Sequence, residues 1–308
     1  MPKVPTVLVT GGAGFIGSHL VRRLATERLG VRVFDNFSSG AAANLVGLRG
    51  VDVVTGDVRS KADVARAMGG IDSVFHLAAI SSVEQSWKDP VGSLATNTHG
   101  TANVIEAAIA AGASSFIYSS SAAIYGELSG KAYEDLEPKP ISPYGYSKLL
   151  AEKLVLAYGR NSSDIRAVAL RYFNVFGPRQ DPASPYAAVI PLFIQHAIAG
   201  TTATIYGDGR QTRDFTYVDD VVDANLRALR SDVTGVAMNI SLGKGESLLE
   251  LVDAISVLSS RPLKAVFAAQ RAGEIRHSLG DISLAASTIG YQPKVSLRDG
   301  LAMVLSSG

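Results

Sequence analysis

The feature that most restricts this chain is a regular alternation of short apolar runs with longer stretches of helical pattern. Runs at 6–10, 31–35, 51–55, 73–77, 115–120 and 167–172 alternate with stretches such as 17–27, 61–68, 98–111 and 146–158. Such an alternation needs crossover connections, which are right-handed, and so a parallel sheet. The runs are apolar throughout, which predicts strands covered on both faces. Residues 1–172 therefore read as an α/β domain built on a doubly wound parallel sheet. Beyond Tyr172 the texture changes: Gly177-Pro178, Asp181-Pro182 and Ser184-Pro185 crowd one stretch, and the turn Gly207-Asp208-Gly209 follows. Residues 173–308 are expected to form a smaller α/β lid, with a part near 214–240 returning to the first domain.

The 308 residues are 47% hydrophobic, enough for a sizeable core, and their 19% of charged residues is too low for a disordered chain. A net charge of +1 argues against bulk attraction to nucleic acid or an anionic membrane. Without cysteine there are no disulfides, thiol nucleophiles or zinc–thiolate sites, and the five histidines lack metal-ligand spacing. No signal peptide is legible and no apolar run reaches membrane-spanning length, so the expectation is a cytoplasmic protein.

Thr10-Gly11-Gly12-Ala13-Gly14-Phe15-Ile16-Gly17 follows the first strand and opens a helix. Gly11, Gly14 and Gly17 suit a tight turn, a close approach to a pyrophosphate and the packing of helix on strand. The helix N-terminus would then present free N–H groups and partial positive charge to phosphates. Asp35 ends the second strand, where a carboxylate accepts from ribose hydroxyls and repels a 2′-phosphate, favouring NAD over NADP. Asp57 and Val58, after the third strand, lie where an adenine edge can be hydrogen-bonded.

Tyr144 and Lys148 stand four apart in a stretch that Pro143 opens as a helix, so they share a face; Tyr146 projects away. A phenol with a pKa of about 10 is a poor base near neutrality, and lowering it by about three units takes about 4 kcal/mol. A cation ~4 Å away at an effective dielectric of ~20 supplies that order of energy. Lys148 is such a cation, and an oxidised nicotinamide ring is a second. Ser119-Ser120-Ser121 ends the fifth strand, where ligand crevices open, and Ser121 is the hydroxyl placed to bridge substrate and tyrosine.

Together the segments 10–17, 35–40, 76–79, 119–126, 144–148 and 171–178 resemble the extended short-chain dehydrogenase/reductase superfamily, closest to its nucleotide-sugar 4-epimerases. The resemblance implies a Rossmann-like NAD-binding domain with a sugar-nucleotide lid. It also implies C4 epimerisation of a UDP-hexose through a 4-keto sugar, with Ser121, Tyr144 and Lys148 as the catalytic group. It places NAD on Gly11, Gly14, Phe15, Ile16, Gly17, Asp35, Asn36, Ser38, Ser39, Gly40, Asp57, Val58, Leu77, Ala78, Ala79, Asn97, Ser119, Tyr144, Lys148, Tyr172 and Asn174. It places the UDP-sugar on Ser82, Val83, Ser121, Tyr144, Asn174, Val189, Arg213, Arg271, Glu274 and Ser278. The small Ser278 stands where hexose-restricted members carry tyrosine, which implies room for a 2-N-acetyl group and hence UDP-N-acetylglucosamine and its C4 epimer. Plain UDP-glucose and UDP-galactose are secondary candidates. A 4,6-dehydratase or a decarboxylase on the same scaffold is the rival; Ala122-Ala123 replace the acid/base pair a dehydratase needs. A non-catalytic NAD-binding scaffold is the reading from another class. The resemblance also implies a homodimer through helices near 91–111 and 146–158, where Leu149, Leu150, Leu154 and Leu156 fit a helix buried on more than one side.

Overall fold

The computed structural model describes residues 4–27, 29–183, 187–270 and 275–306. Among the described residues the strands run β1 (Thr6–Thr10), β2 (Gly30–Asp35), β3 (Val51–Thr55), β4 (Ser73–His76), β5 (Ser115–Ser121), β6 (Arg166–Tyr172), β7 (Val175–Phe176), β8 (Ala203–Tyr206), β9 (Thr212–Asp214), β10 (Thr216–Tyr217), β11 (Ala237–Ile240), β12 (Gly245–Ser247) and β13 (Ala265–Ala268). The helices that matter below are α1 (Phe15–Thr26), α2 (Lys61–Met68), α3 (Val83–Lys88), α4 (Pro90–Leu94), α5 (Gly100–Ala110), α6 (Pro143–Asn161), α7 (Val189–Ala199), α8 (Val218–Arg230) and α9 (Leu248–Leu258).

Seven strands form one sheet in the order β11-β6-β5-β4-β1-β2-β3, and every pairing in it is parallel. The chain winds outward from β1 in both directions, so a crevice opens between the carboxyl ends of β1 and β4. One face is packed by α1 and α8 over Val7, Val9, Val33, Leu170 and Met238; the other is packed by α2, α5 and α6 over Leu8, Phe34, Phe116, Ala167 and Ala169. β3 departs from the expected double coverage: as the outer strand it has Val53 exposed and, among the described residues, no further strand beside it. The helix expected at 98–111 is longer at its start, where α4 runs through a π-helical turn, Ala95–His99, into α5. β11 lies in the main sheet, whereas β8, β9, β12 and β13 pair among themselves beside a separate core around Phe193, Ile205, Phe215 and Leu251. Among the described residues no helix is long and apolar enough to cross a membrane.

Candidate active site

The carboxyl ends of the strands open onto a cavity of about 1580 Å³, larger than the usual single small-ligand pocket of about 300–1,000 Å³. The glycine loop forms part of its wall. Gly11 has φ +69°, and a Cβ there would come 2.7 Å from the Ala78 nitrogen just after β4. A Cβ on Gly17 would lie 2.1 Å from the Gly11 carbonyl oxygen, so only glycine lets α1 start this close to the turn. Gly14 caps α1 with no side-chain bond to its first amides. Gly11, Gly14, Phe15, Ile16 and Gly17 all line the cavity, which suits an anion at the helix start.

Asp35 also lines the cavity, at the end of β2. Its Oδ2 accepts from Ala13 N at 2.9 Å and its Oδ1 from Phe37 N at 2.8 Å, tying the glycine loop to the β2 turn. Each oxygen keeps a further lone pair for a ligand hydroxyl. Asn36, Ser38, Ser39 and Gly40 continue the wall. Asp57 stands off it. Arg59 clasps its carboxylate at 2.6 and 2.9 Å and holds it down to about 2, and Asn36 Nδ2 donates to it at 3.1 Å. Val58 and Arg59 are at the wall instead. Arg59 is absent from the expected cofactor residues, although a base two residues beyond Asp57, just after β3, signals it.

Leu77, Ala78 and Ala79 line the cavity after β4, and Asn97 does not. Asn97 is a buried brace: its Oδ1 accepts from Ile80 N at 2.8 Å, while Nδ2 donates to Ile80 O at 3.0 Å and Ser147 Oγ at 2.9 Å. It holds the wall from behind by fixing Ile80 against α6.

Ser142 caps α6 by accepting from Gly145 N at 3.1 Å, and Pro143 occupies the first turn, so the helix begins where Tyr144 reaches the crevice. Tyr144 and Lys148 line the cavity, whereas Tyr146 is 54% exposed. Residues alternate along β5. Ser119 and Ser121 reach the cavity side chains Tyr172 and Tyr144, while Ser120 Oγ donates the other way, to Glu152 Oε2 at 2.6 Å. Tyr172 lines the cavity too, its hydroxyl donating to Asn225 Oδ1 at 3.0 Å.

The electrostatics of this group correct the sequence argument. Burial raises the Tyr144 phenol above its usual 10.0, opposed by its hydrogen bond with Ser121. Burial also pulls Lys148 down from 10.5 to about 7, opposed by the charge of Glu152. Lys148 Nζ donates to the Ser119 carbonyl at 2.6 Å and sits 4.8 Å from the Tyr118 ring centre. Attraction between ammonium and phenolate is offset here by the desolvation of both groups, which penalises the charged form of each. A phenol ionised near neutrality here requires positive charge beyond Lys148.

Asn174, Arg213 and Ser278, from the second half of the chain, line the same cavity. Arg213 Nη1 donates to Thr212 O at 2.9 Å, and Ser278 N donates to the same carbonyl at 3.1 Å, so β9 organises both. Ser82 and Val83 line it at the start of α3, where Ser82 Oγ accepts from Gln85 N at 3.0 Å. Val189 opens α7 just behind the lining residues Ala187 and Ala188. Arg271 and Glu274 lie outside the described residues.

Residues 7–241 match the NAD dependent epimerase/dehydratase family. A UDP-glucose 4-epimerase of Mycolicibacterium smegmatis is 38% identical over 304 residues, with 96% of each chain covered. A UDP-N-acetyl-alpha-D-glucosaminuronate decarboxylase of Bacillus cytotoxicus is 34% identical over 307 residues, with 96% of this chain and 94% of that one covered. The solved UDP-N-acetylglucosamine 4-epimerase of Methanobrevibacter ruminantium, in complex with UDP-N-acetylmuramic acid, is similar with a TM-score of 0.93 at 37% identity, over 99% of this chain and 98% of its own.

Proposed function

The chain belongs to the NAD dependent epimerase/dehydratase family, and on that premise we propose that it is an NAD-dependent isomerase inverting C4 of a UDP-linked hexose. The observation that carries this reading is the convergence of Ser121, Tyr144 and Lys148 on the cavity that the glycine loop and Asp35 also wall. The cradle fits NAD: a Cβ on Gly11 or Gly17 would fill it, and Asp35 would hold the adenosine ribose and disfavour a 2′-phosphate. Lys148 would hold the nicotinamide ribose. The division near residue 172 into a cofactor part and a sugar-nucleotide part belongs to the same proposal.

When bound, NAD supplies a hydride acceptor that is restored within one turnover, and the positive charge of its oxidised ring. Tyr144 takes the O4 proton on its phenol oxygen and later returns it to the inverted hydroxyl, the substrate passing through a 4-keto sugar. Ser121 hydrogen-bonds O4 and the phenol together, and Lys148 adds positive charge beside them. Arg213 suits the diphosphate, since a guanidinium matches phosphate oxygens.

The hexose we favour carries a 2-N-acetyl group, because Ser278 presents a small side chain at the wall. UDP-glucose and UDP-galactose are the second choice. A dehydratase or decarboxylase is the rival reading, supported by the 34% identical decarboxylase. Against a dehydratase, the wall residues Ala122 and Ala123 cannot transfer protons. Purified protein is to be incubated with UDP-N-acetylglucosamine and UDP-glucose, without added cofactor. A C4 epimer of unchanged mass supports the reading; unchanged substrates, or products lighter by water or carbon dioxide, overturn it.

We also propose a homodimer. Leu149 and Leu156 are buried within the chain, whereas Trp87, Val91 and Leu150, from α3, α4 and α6, are 64%, 74% and 48% exposed, an apolar surface suited to a second copy. Sedimentation of a monomer alone at micromolar concentration rejects this.

A further inference from the structure

Behind the cavity wall lies a buried ionic cluster that the proposed chemistry does not use. Glu152 stands one turn beyond Lys148 and two beyond Tyr144 on α6, so the three share a face, and it is 1% exposed. Its Oε1 accepts from Arg171 Nη2 at 2.7 Å and its Oε2 from Arg171 Nε at 3.0 Å, a bidentate pair. The same Oε2 accepts from the Ser120 hydroxyl at 2.6 Å. Ser120 and Arg171 are register partners on β5 and β6. A buried pair of this kind is weak support for stability, because desolvation offsets most of its attraction. Its position is more telling. Ser120 sits between Ser119, whose carbonyl accepts from Lys148, and Ser121, whose hydroxyl meets Tyr144.

We propose that Glu152 is a positioning residue for the Ser121–Tyr144–Lys148 group: it locks the end of β5 through Ser120 and Arg171 and sets a negative charge one helical turn from the Lys148 ammonium. The kinetic part of this rests on the epimerase reading. The groups facing Lys148 are Tyr144 and Glu152 on α6, Tyr118 on β5, and His76 on β4, which burial keeps neutral by drawing it down to about 3. Glu152 is the anion in this set, and it opposes the burial that discharges Lys148. Removing its charge lets Lys148 release its proton at lower pH, so activity that needs the ammonium fails at lower pH.

Glu152→Gln keeps the shape and an acceptor oxygen while removing the charge. The Lys148 titration is followed by NMR on lysine-labelled protein, its signal identified by its loss in Lys148→Met, and kcat, KM and the pH profile are measured beside it. In Glu152→Gln the Lys148 signal is expected to titrate at lower pH than in the parent. The alkaline limb of kcat moves the same way, and kcat above pH 7 falls about tenfold with KM unchanged. If stranding Arg171 prevents folding, Glu152→Gln with Arg171→Met removes both charges, and the signal again titrates below the parent. An unchanged titration and pH profile, with only a lower unfolding temperature, assigns Glu152 a purely structural role and overturns the proposal. A parent that epimerises no UDP-hexose defeats the epimerase reading alone, since the titration still decides whether Glu152 charges Lys148.

Discussion

Lys148→Met is expected to make the fold more stable while ending its chemistry. Lys148 is 3% exposed, and burial draws it from 10.5 to about 7. That depression corresponds to about 4–5 kcal/mol against folding at and below about pH 7. Methionine removes this penalty and keeps the apolar stem. Against the gain, the Ser119 carbonyl loses its 2.6 Å donor, at about 1–3 kcal/mol for a buried acceptor left unmade. The balance is a stabilisation of about 1–4 kcal/mol, an unfolding temperature higher by several degrees. The pH dependence has a definite sign. Between about 7 and 10.5 the unfolded lysine holds a proton that the folded one has released, so the parent gains stability as pH rises through that window. The variant lacks that gain, and its advantage shrinks with rising pH. The assay is urea unfolding of NAD-free protein across that range, because bound cofactor would add its own stabilisation. A variant less stable than the parent at neutral pH, or a pH dependence parallel to the parent's, would refute the reasoning.

Tyr144→Phe is expected to retain NAD and lower turnover by about 10²–10⁴, the usual value of one acid–base group; retained turnover, measured by epimer formation, would exclude Tyr144 as the base. Ser278→Tyr fills the wall where the N-acetyl group is placed, and is expected to abolish turnover of UDP-N-acetylglucosamine while sparing UDP-glucose. Unchanged selectivity in a competition assay defeats the assignment. Gly17→Ala places a Cβ 2.1 Å from the Gly11 carbonyl oxygen, which forces the loop apart; the purified variant should carry little NAD by absorbance after denaturation, and full occupancy would contradict the cradle.

The sheet was legible because its signal is periodic and local: apolar runs, a glycine turn and a proline-opened helix each specify backbone without reference to the rest of the chain. The positions of Gly11, Asp35, Tyr144 and Lys148 on one cavity follow from that regularity, since parallel strands bring their carboxyl ends to one side. What the sequence concealed depends on which partner wins a competition in space. Asp57 has the right place in the chain to meet adenine, yet Arg59 and Asn36 occupy its carboxylate. Asn97 is a ligand type by chemistry, but Ile80 and Ser147 satisfy it inside the protein. Glu152 carries no local signal of its own, because its partners Ser120 and Arg171 come to it from β5 and β6. Desolvation of Tyr144 and Lys148 was likewise invisible, because burial is a property of the folded chain.

The claim on which the account turns is that one carbon of the sugar gives up a hydride and receives it back within the same site. A UDP-hexose carrying deuterium at C4 is to be incubated with the protein, without added cofactor, and the products analysed by mass and NMR. The account predicts a C4 epimer with the deuterium still on C4. An epimer whose deuterium has been lost to water contradicts it.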